Sequence, residues 1–168
     1  MFCGSRSDGP LMQTANDTTL ATAVTFRIDG QRYALPLDRV REIQKIVAFA
    51  AMPDESAMIV GMVDVRGEVL PVADARLLLG LHPVPYTLET PMIFVTSATG
   101  PVALIVDAVE NVVELSDEAA TAVPAAHSLA SRMLGAHRVD GDLVFLLDAD
   151  ALLAPVDLPA EGREARDE

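Results

Sequence analysis

The stretch that decides the fold is Gly61-Met62-Val63-Asp64-Val65-Arg66-Gly67-Glu68-Val69-Leu70-Pro71-Val72-Ala73-Asp74. Two apolar runs, Ile59 to Val65 and Val69 to Val72, flank Arg66-Gly67, so the segment reads as two β-strands turned over a glycine tip. Such a tip presents one guanidinium where a partner can reach it. The same spacing also fits a glycine that only relaxes a turn beside a solvated charge. The rest of the chain shifts that balance.

Working outward, the strand and turn signals form four hairpin-like units, each with glycine at its tip. Val24 to Ile28 and Tyr33 to Leu37 flank Asp29-Gly30, and the Arg66-Gly67 unit is the second. Met92 to Thr96 and Val102 to Val106 flank Ser97 to Pro101, and Ala136 to Val139 and Leu143 to Leu147 flank Asp140-Gly141. The segment after the first hairpin (Asp38-Arg39-Val40-Arg41-Glu42-Ile43) matches the segment after the third (Asp107-Ala108-Val109-Glu110-Asn111-Val112), and each reads as a further strand. Asp74 and Asp148 each open a short helix after the second and fourth. The offset of about 70 residues predicts a duplicated, mainly β protein of two small five-stranded barrels packed together, with short closing helices. The expected boundaries are a flexible leader over 1–22, a first barrel over about 23–82, a second over about 90–155, and an acidic disordered tail over 156–168. Residues 83–91 read as a proline-bracketed linker.

Composition narrows the function. The chain has 168 residues and a formal net charge of −13, which repels nucleic acid and anionic lipid over most of the surface. Aromatic residues make up 4% and tryptophan is absent, so the core must rest on Val, Leu, Ile and Ala, and base-stacking platforms are not expected. A single cysteine, Cys3, has no second cysteine to pair with, which fits a reducing compartment. No stretch approaches the ~20 apolar residues of a membrane span, so the expected location is cytoplasmic, without membrane insertion.

The search for chemistry points away from catalysis. His82, His127 and His137 lie far apart without metal-ligand spacing, so no metal is expected. No nucleophile elbow or phosphate-binding glycine loop occurs, and neither Asp148 with Asp150 nor Asp64 with Glu68 is sequestered as a catalytic pair must be. No catalytic residue and no cofactor is assigned. The remaining class is a binding module that docks through apolar patches and sheet edges, with Arg66 suited to a bidentate contact. Val40, Ile43 and Val109 form a candidate apolar surface.

The ordered set of motifs resembles the CheW family of chemotaxis coupling proteins over about Val24 to Leu153. Its marks are Phe26-x-Ile28-x-Gly30-x-x-Tyr33-Ala34-Leu35-Pro36-Leu37, Val40-x-Glu42-Ile43, the Gly61 to Asp74 stretch, Leu104-Ile105-Val106-Asp107-x-Val109, and Leu143-Val144-Phe145-Leu146-Leu147-Asp148. The resemblance implies two SH3-like barrels. It also implies a non-catalytic adaptor joining methyl-accepting chemoreceptor cytoplasmic tips to the regulatory domain of a CheA-type histidine kinase. Carried over by position, the receptor surface falls on Val40, Glu42, Ile43, Arg66, Gly67, Val106 and Val109, and the kinase side near Gly61 and Met62. The alternative in the same frame is a free-standing competitor that occupies receptor or kinase sites without coupling them. The chain departs from the family at Asp64, where an asparagine is usual, and at Ala75, where a leucine is usual. The Asp64 carboxylate is expected to pair internally with Arg66.

Overall fold

The computed structural model describes residues 20–46, 49–51, 59–116, 120–121 and 130–154. Residues 1–19 of the expected leader and the tail therefore lie outside the described residues, whereas residues 20–22, expected in the leader, belong to the first strand, where they pair with Glu114 to Ser116. Among the described residues twelve strands run in chain order as β1 (Leu20–Ile28), β2 (Gln31–Pro36), β3 (Val40–Lys45), β4 (Ala50–Ala51), β5 (Ile59–Val65), β6 (Glu68–Asp74), β7 (Pro91–Ser97), β8 (Gly100–Ile105), β9 (Ala108–Ser116), β10 (Ala120–Thr121), β11 (Met133–Val139) and β12 (Asp142–Leu147). Two short helices, α1 (Ala75–Leu78) and α2 (Ala149–Leu153), follow β6 and β12. Each helix opens as the sequence predicts. The Asp74 carboxylate accepts from the Arg76 N–H at 2.9 Å, and that of Asp148 accepts from the Asp150 N–H at 3.0 Å.

The strands form two six-membered sheets, ordered β10-β11-β12-β2-β1-β9 and β3-β7-β8-β6-β5-β4. Setting aside the two-residue strands β4 and β10, each is the five-stranded sheet expected, and the fold class is the predicted mainly β pair of SH3-like barrels. The barrel boundaries are not those expected. The first sheet takes β1 and β2 from the front of the chain and β9 to β12 from the back, while the second holds β3 to β8, so the split at residues 82–90 is corrected. The two halves have exchanged their leading hairpins. Val40 pairs with Val95 across β3 and β7 as Val109 pairs with Phe26 across β9 and β1. The parallel contact of Val72 with Ala103 likewise repeats as Leu146 with Ala34.

The physical reason lies in the hairpins themselves, which are apolar on both faces and so must sit between other layers. On β7, Met92 and Phe94 fill the interior of the second sheet with Val63, Leu70, Val72, Ala103 and Ile105. The alternate residues Ile93 and Val95 face the other way, into a seam shared with Phe26, Ile28, Tyr33 and Leu35 of the first sheet. Leu147, Leu152 and Leu153 complete that seam from β12 and α2. Complete burial of a side chain of this size stabilises the fold by roughly 1.5–3 kcal/mol. The seam therefore welds the sheets into one unit.

The chain changes sheets at two short crossovers, Leu37–Arg39 after β2 and residues 106–107 after β8. An ion-pair latch holds each. Arg76 of α1 forks onto Asp107 at 3.0 and 2.7 Å, and Asp107 also accepts the Asp29 N–H of the β1–β2 tip at 2.8 Å. At the equivalent place Arg39 forks onto Asp150 of α2 at 3.0 and 2.8 Å, and Asp150 accepts the Ala98 N–H of the β7–β8 tip at 2.7 Å. One arrangement is thus built twice with its charges exchanged.

Candidate functional site

The Arg66-Gly67 tip is a two-residue hairpin turn with φ of +52° and +87°, the left-handed pair that such turns require. Asp29-Gly30 and Asp140-Gly141 turn in the same way. Asp64 closes the turn by accepting the Gly67 N–H at 2.9 Å. Its carboxylate therefore serves the backbone, which corrects the expected pairing with Arg66. The guanidinium goes to Glu42 of β3 instead, through contacts of 2.8 and 2.9 Å to both carboxylate oxygens. Beside it Arg41 meets Glu68 at 3.2 Å.

These contacts join opposite sides of one sheet, because β3 is an edge strand and the β5–β6 hairpin lies toward the other edge. The sheet therefore curls until β3 closes on that hairpin. A bulge between Val40 and Glu42 lets the adjacent residues Arg41 and Glu42 both reach the tip. The result is an exposed, electrically neutral cluster of two arginines and two glutamates. The Arg66 side chain keeps 67% of its surface open, so its outer N–H groups still face solvent.

Glu42, Arg66 and Gly67 are thus brought together, with Ile43 next along β3 and 41% exposed. Val40 and Val109 occupy equivalent positions on β3 and β9, and both pack half-buried against the seam. Val106 differs: it is buried within the seam, so it supports the surface from beneath and offers no side chain to a partner. Gly61 is buried on β5, and a Cβ there would collide with the Ala50 carbonyl oxygen and the Phe49 ring. It is a close-approach glycine. Met62, half-buried, pairs across to Ala50 and Pro71.

Sequence reasoning missed the two latches, whose partners are remote along the chain. The Arg39 hydrogen bonds hold the Asp150 carboxyl below the usual carboxylate range. Burial pushes Asp107 up, but the Arg76 and Asp29 hydrogen bonds overcome this and leave it low as well. Glu110 is similar: burial raises it, and Arg27 and Arg32 draw it down further. The hydroxyl of buried Thr25 both donates to and accepts from the Asn111 backbone at 3.0 Å. Buried Asp74 accepts from Tyr86 Oη at 2.7 Å, anchoring the linker between the halves. That linker walls a cleft of about 260 Å³ whose charged groups, Asp74, Arg76 and Asp107, are already engaged. Among the described residues no three of His, Cys, Asp and Glu converge as a metal site needs. The surface can dock and position partners.

Comparison with known proteins bears on the family and the fold. Residues 22–156 match the family model described as CheW-like domain. A "Probable chemotaxis protein CheW" from Rhizobium etli is 30% identical over 139 residues, spanning 82% of this chain and 90% of its own. A "Chemotaxis protein CheW" from Rhizobium meliloti is 28% identical, over 84% of this chain and 90% of the relative. The crystal structure of the scaffolding protein TtCheW from Thermoanaerobacter tengcongensis superposes with a TM-score of 0.73 at 22% identity, covering 80% of this chain and 93% of that one.

Proposed function

The chain belongs to the CheW-like family of chemotaxis scaffold proteins, and from that premise we propose that it couples methyl-accepting chemoreceptors to a CheA-type histidine kinase. In this reading it is a non-catalytic adaptor of the cytoplasm, working within receptor arrays at the inner face of the membrane. The observation that carries the reading is the convergence of Glu42, Arg66 and Gly67 at one exposed corner beside Ile43. Those residues fall at the positions where the family resemblance puts the receptor surface. Val40 and Val109 extend that surface, with Val106 behind it. Gly61 and Met62 lie toward the kinase side.

The mechanism is positional. A scaffold that binds receptor and kinase at once lets a small receptor change alter the balance between kinase states, provided its contacts differ between them. The sheet-to-sheet seam suits this role because it makes the two surfaces parts of one rigid body.

Calorimetric titration of the protein with a receptor cytoplasmic tip and with a kinase regulatory domain tests the reading. Arg66→Glu places a carboxylate against Glu42 and reverses the exposed charge. It is expected to weaken receptor-tip binding about tenfold or more while leaving kinase binding unchanged. Unchanged receptor affinity would remove Arg66 from the surface, and binding to just one partner would favour the competitor.

A further inference from the structure

Arg27 and Arg32 stand directly opposite each other across β1 and β2. Like charges in that relation repel, and the matching pair across β7 and β8 is Thr96 with Pro101, so the repeat does not require them. Both guanidiniums give their Nε edge to one carboxylate, Glu110 of β9, at 2.5 and 2.9 Å. One anion thus faces two cations at close range. A second acid, Asp142 beside the β11–β12 tip, reaches Arg32 Nη1 only at 3.4 Å and keeps 58% of its side chain in solvent. A guanidinium–carboxylate contact closes to about 2.7–2.9 Å where the chain allows it, so Asp142 is held short of its partner. The Arg32 side chain is 7% exposed, and surplus positive charge on so buried a group is costly.

A cavity of about 160 Å³ opens at this place, lined by Arg27, Gly30, Gln31, Arg32, Asp142 and Leu143. Glu110 is not part of its wall, so the cavity meets the two guanidiniums away from their shared anion. Its size suits a carboxylate with its first carbons. The position in the fold indicates whose carboxylate. Glu110 and Asp142 occupy the places that Arg41 and Glu68 hold in the repeat, so the cavity lies at the first sheet's counterpart of the exposed corner between β3 and the β5–β6 tip. There an arginine and a glutamate pair directly; here both places are acids and Arg32 stands between them. A net charge of −13 repels polyacids at long range, so the fit is a single carboxylate on a neutral or basic surface. We propose that Arg27 and Arg32 form a recognition pocket for one aspartate or glutamate side chain of a partner protein, whose carboxylate takes the place that Asp142 fills incompletely. The choice of a protein side chain over a free anion rests on the adaptor reading; the pocket itself does not.

The two parts are tested separately on the full-length, isotopically labelled protein by following its arginine Nε–H resonances. Sodium acetate is titrated against sodium chloride at matched ionic strength. Arg27 and Arg32 should shift saturably with acetate alone, while Arg138, exposed on β11, should not. Arg27→Gln should weaken acetate binding about fivefold or more, and Asp142→Asn, which removes the internal competitor, should tighten it about threefold or more, with thermal midpoints as the folding control. Shifts that do not saturate, or that appear equally at Arg138, would overturn the pocket, and so would an Asp142→Asn variant that binds acetate no more tightly. A capped peptide with one glutamate between lysines should then bind about tenfold more tightly than its glutamine counterpart. Equal binding of the two peptides would overturn the assignment to a protein side chain. Acetate binding that persists in a protein that binds neither receptor tip nor kinase would sink the adaptor reading and leave the pocket standing.

Discussion

At the scale of single residues, the corner formed by Glu42 and Arg66 separates binding from stability. An exposed ion pair contributes only about 0–1 kcal/mol, so Glu42→Ala should shift the urea midpoint little while receptor-tip affinity falls. The two glycines of the same hairpin should behave differently. Gly61→Ala forces a methyl against the Ala50 carbonyl and the Phe49 ring, and overpacking of this kind costs about 1–3 kcal/mol. Gly67 has open space but a φ of +87°, so Gly67→Ala should cost about 1 kcal/mol from backbone strain alone. Urea unfolding of both variants checks that order. At this scale the hairpin turn was legible from Gly67, because glycine takes positive φ freely, whereas the φ of +52° at Arg66 was not, since arginine rarely adopts it. The partner of Arg66 was not, since Glu42 comes close only once the sheet has curled. The same curling leaves Asp64 free to bind the Gly67 N–H in the turn.

At the scale of elements, the crossovers and their latches determine where β3 and β9 begin. Arg39 immediately precedes Val40, and Asp107 lies between Val106 and Val109, so each latch is adjacent to a strand carrying expected docking residues. Asp107 and Asp150 titrate below the value of about 3.9 that an aspartate has in the unfolded chain. Their ionised forms therefore favour the native state fully above about pH 4, and that contribution disappears as pH falls through the lower native values. Asp150→Asn and Asp107→Asn should each be less stable than wild type at pH 7, with the gap closing below pH 4 as the wild-type carboxyls protonate. Urea midpoints measured across that range check this; a gap independent of pH would assign the loss to packing. The matching Asp-x-Val segments after the first and third hairpins revealed that these elements were equivalent. Their salt partners stayed hidden because Arg76 and Asp150, at matching helix positions, carry opposite charges, and their partners Asp107 and Arg39 stand one place apart in the repeat.

At the scale of the whole molecule, the exchange of hairpins means that neither sheet can form from one half of the chain. Sequential barrels could melt in two steps, but sheets that share strands and a seam should unfold in one, with calorimetric and van't Hoff enthalpies agreeing. A resolved second transition would contradict that. The repeat, the ten longer strands and the Asp-capped helices were readable from periodicity and turn chemistry, while the two-residue strands β4 and β10 were not. The exchange was not, because a repeat identifies which strands are equivalent and says nothing of which half each pairs with. Two-sided burial of Ile93 to Val95 and of Tyr33 to Leu35 is the feature that required it. The proposed coupling needs a rigid body that presents both docking surfaces, and the direct test is receptor-stimulated autophosphorylation of the kinase in a reconstituted mixture of receptor membranes and kinase. Adding the protein should raise receptor-controlled phosphorylation, and Arg66→Glu should abolish the gain. A steady fall in phosphorylation on adding wild-type protein to a working mixture would contradict coupling and identify a competitor.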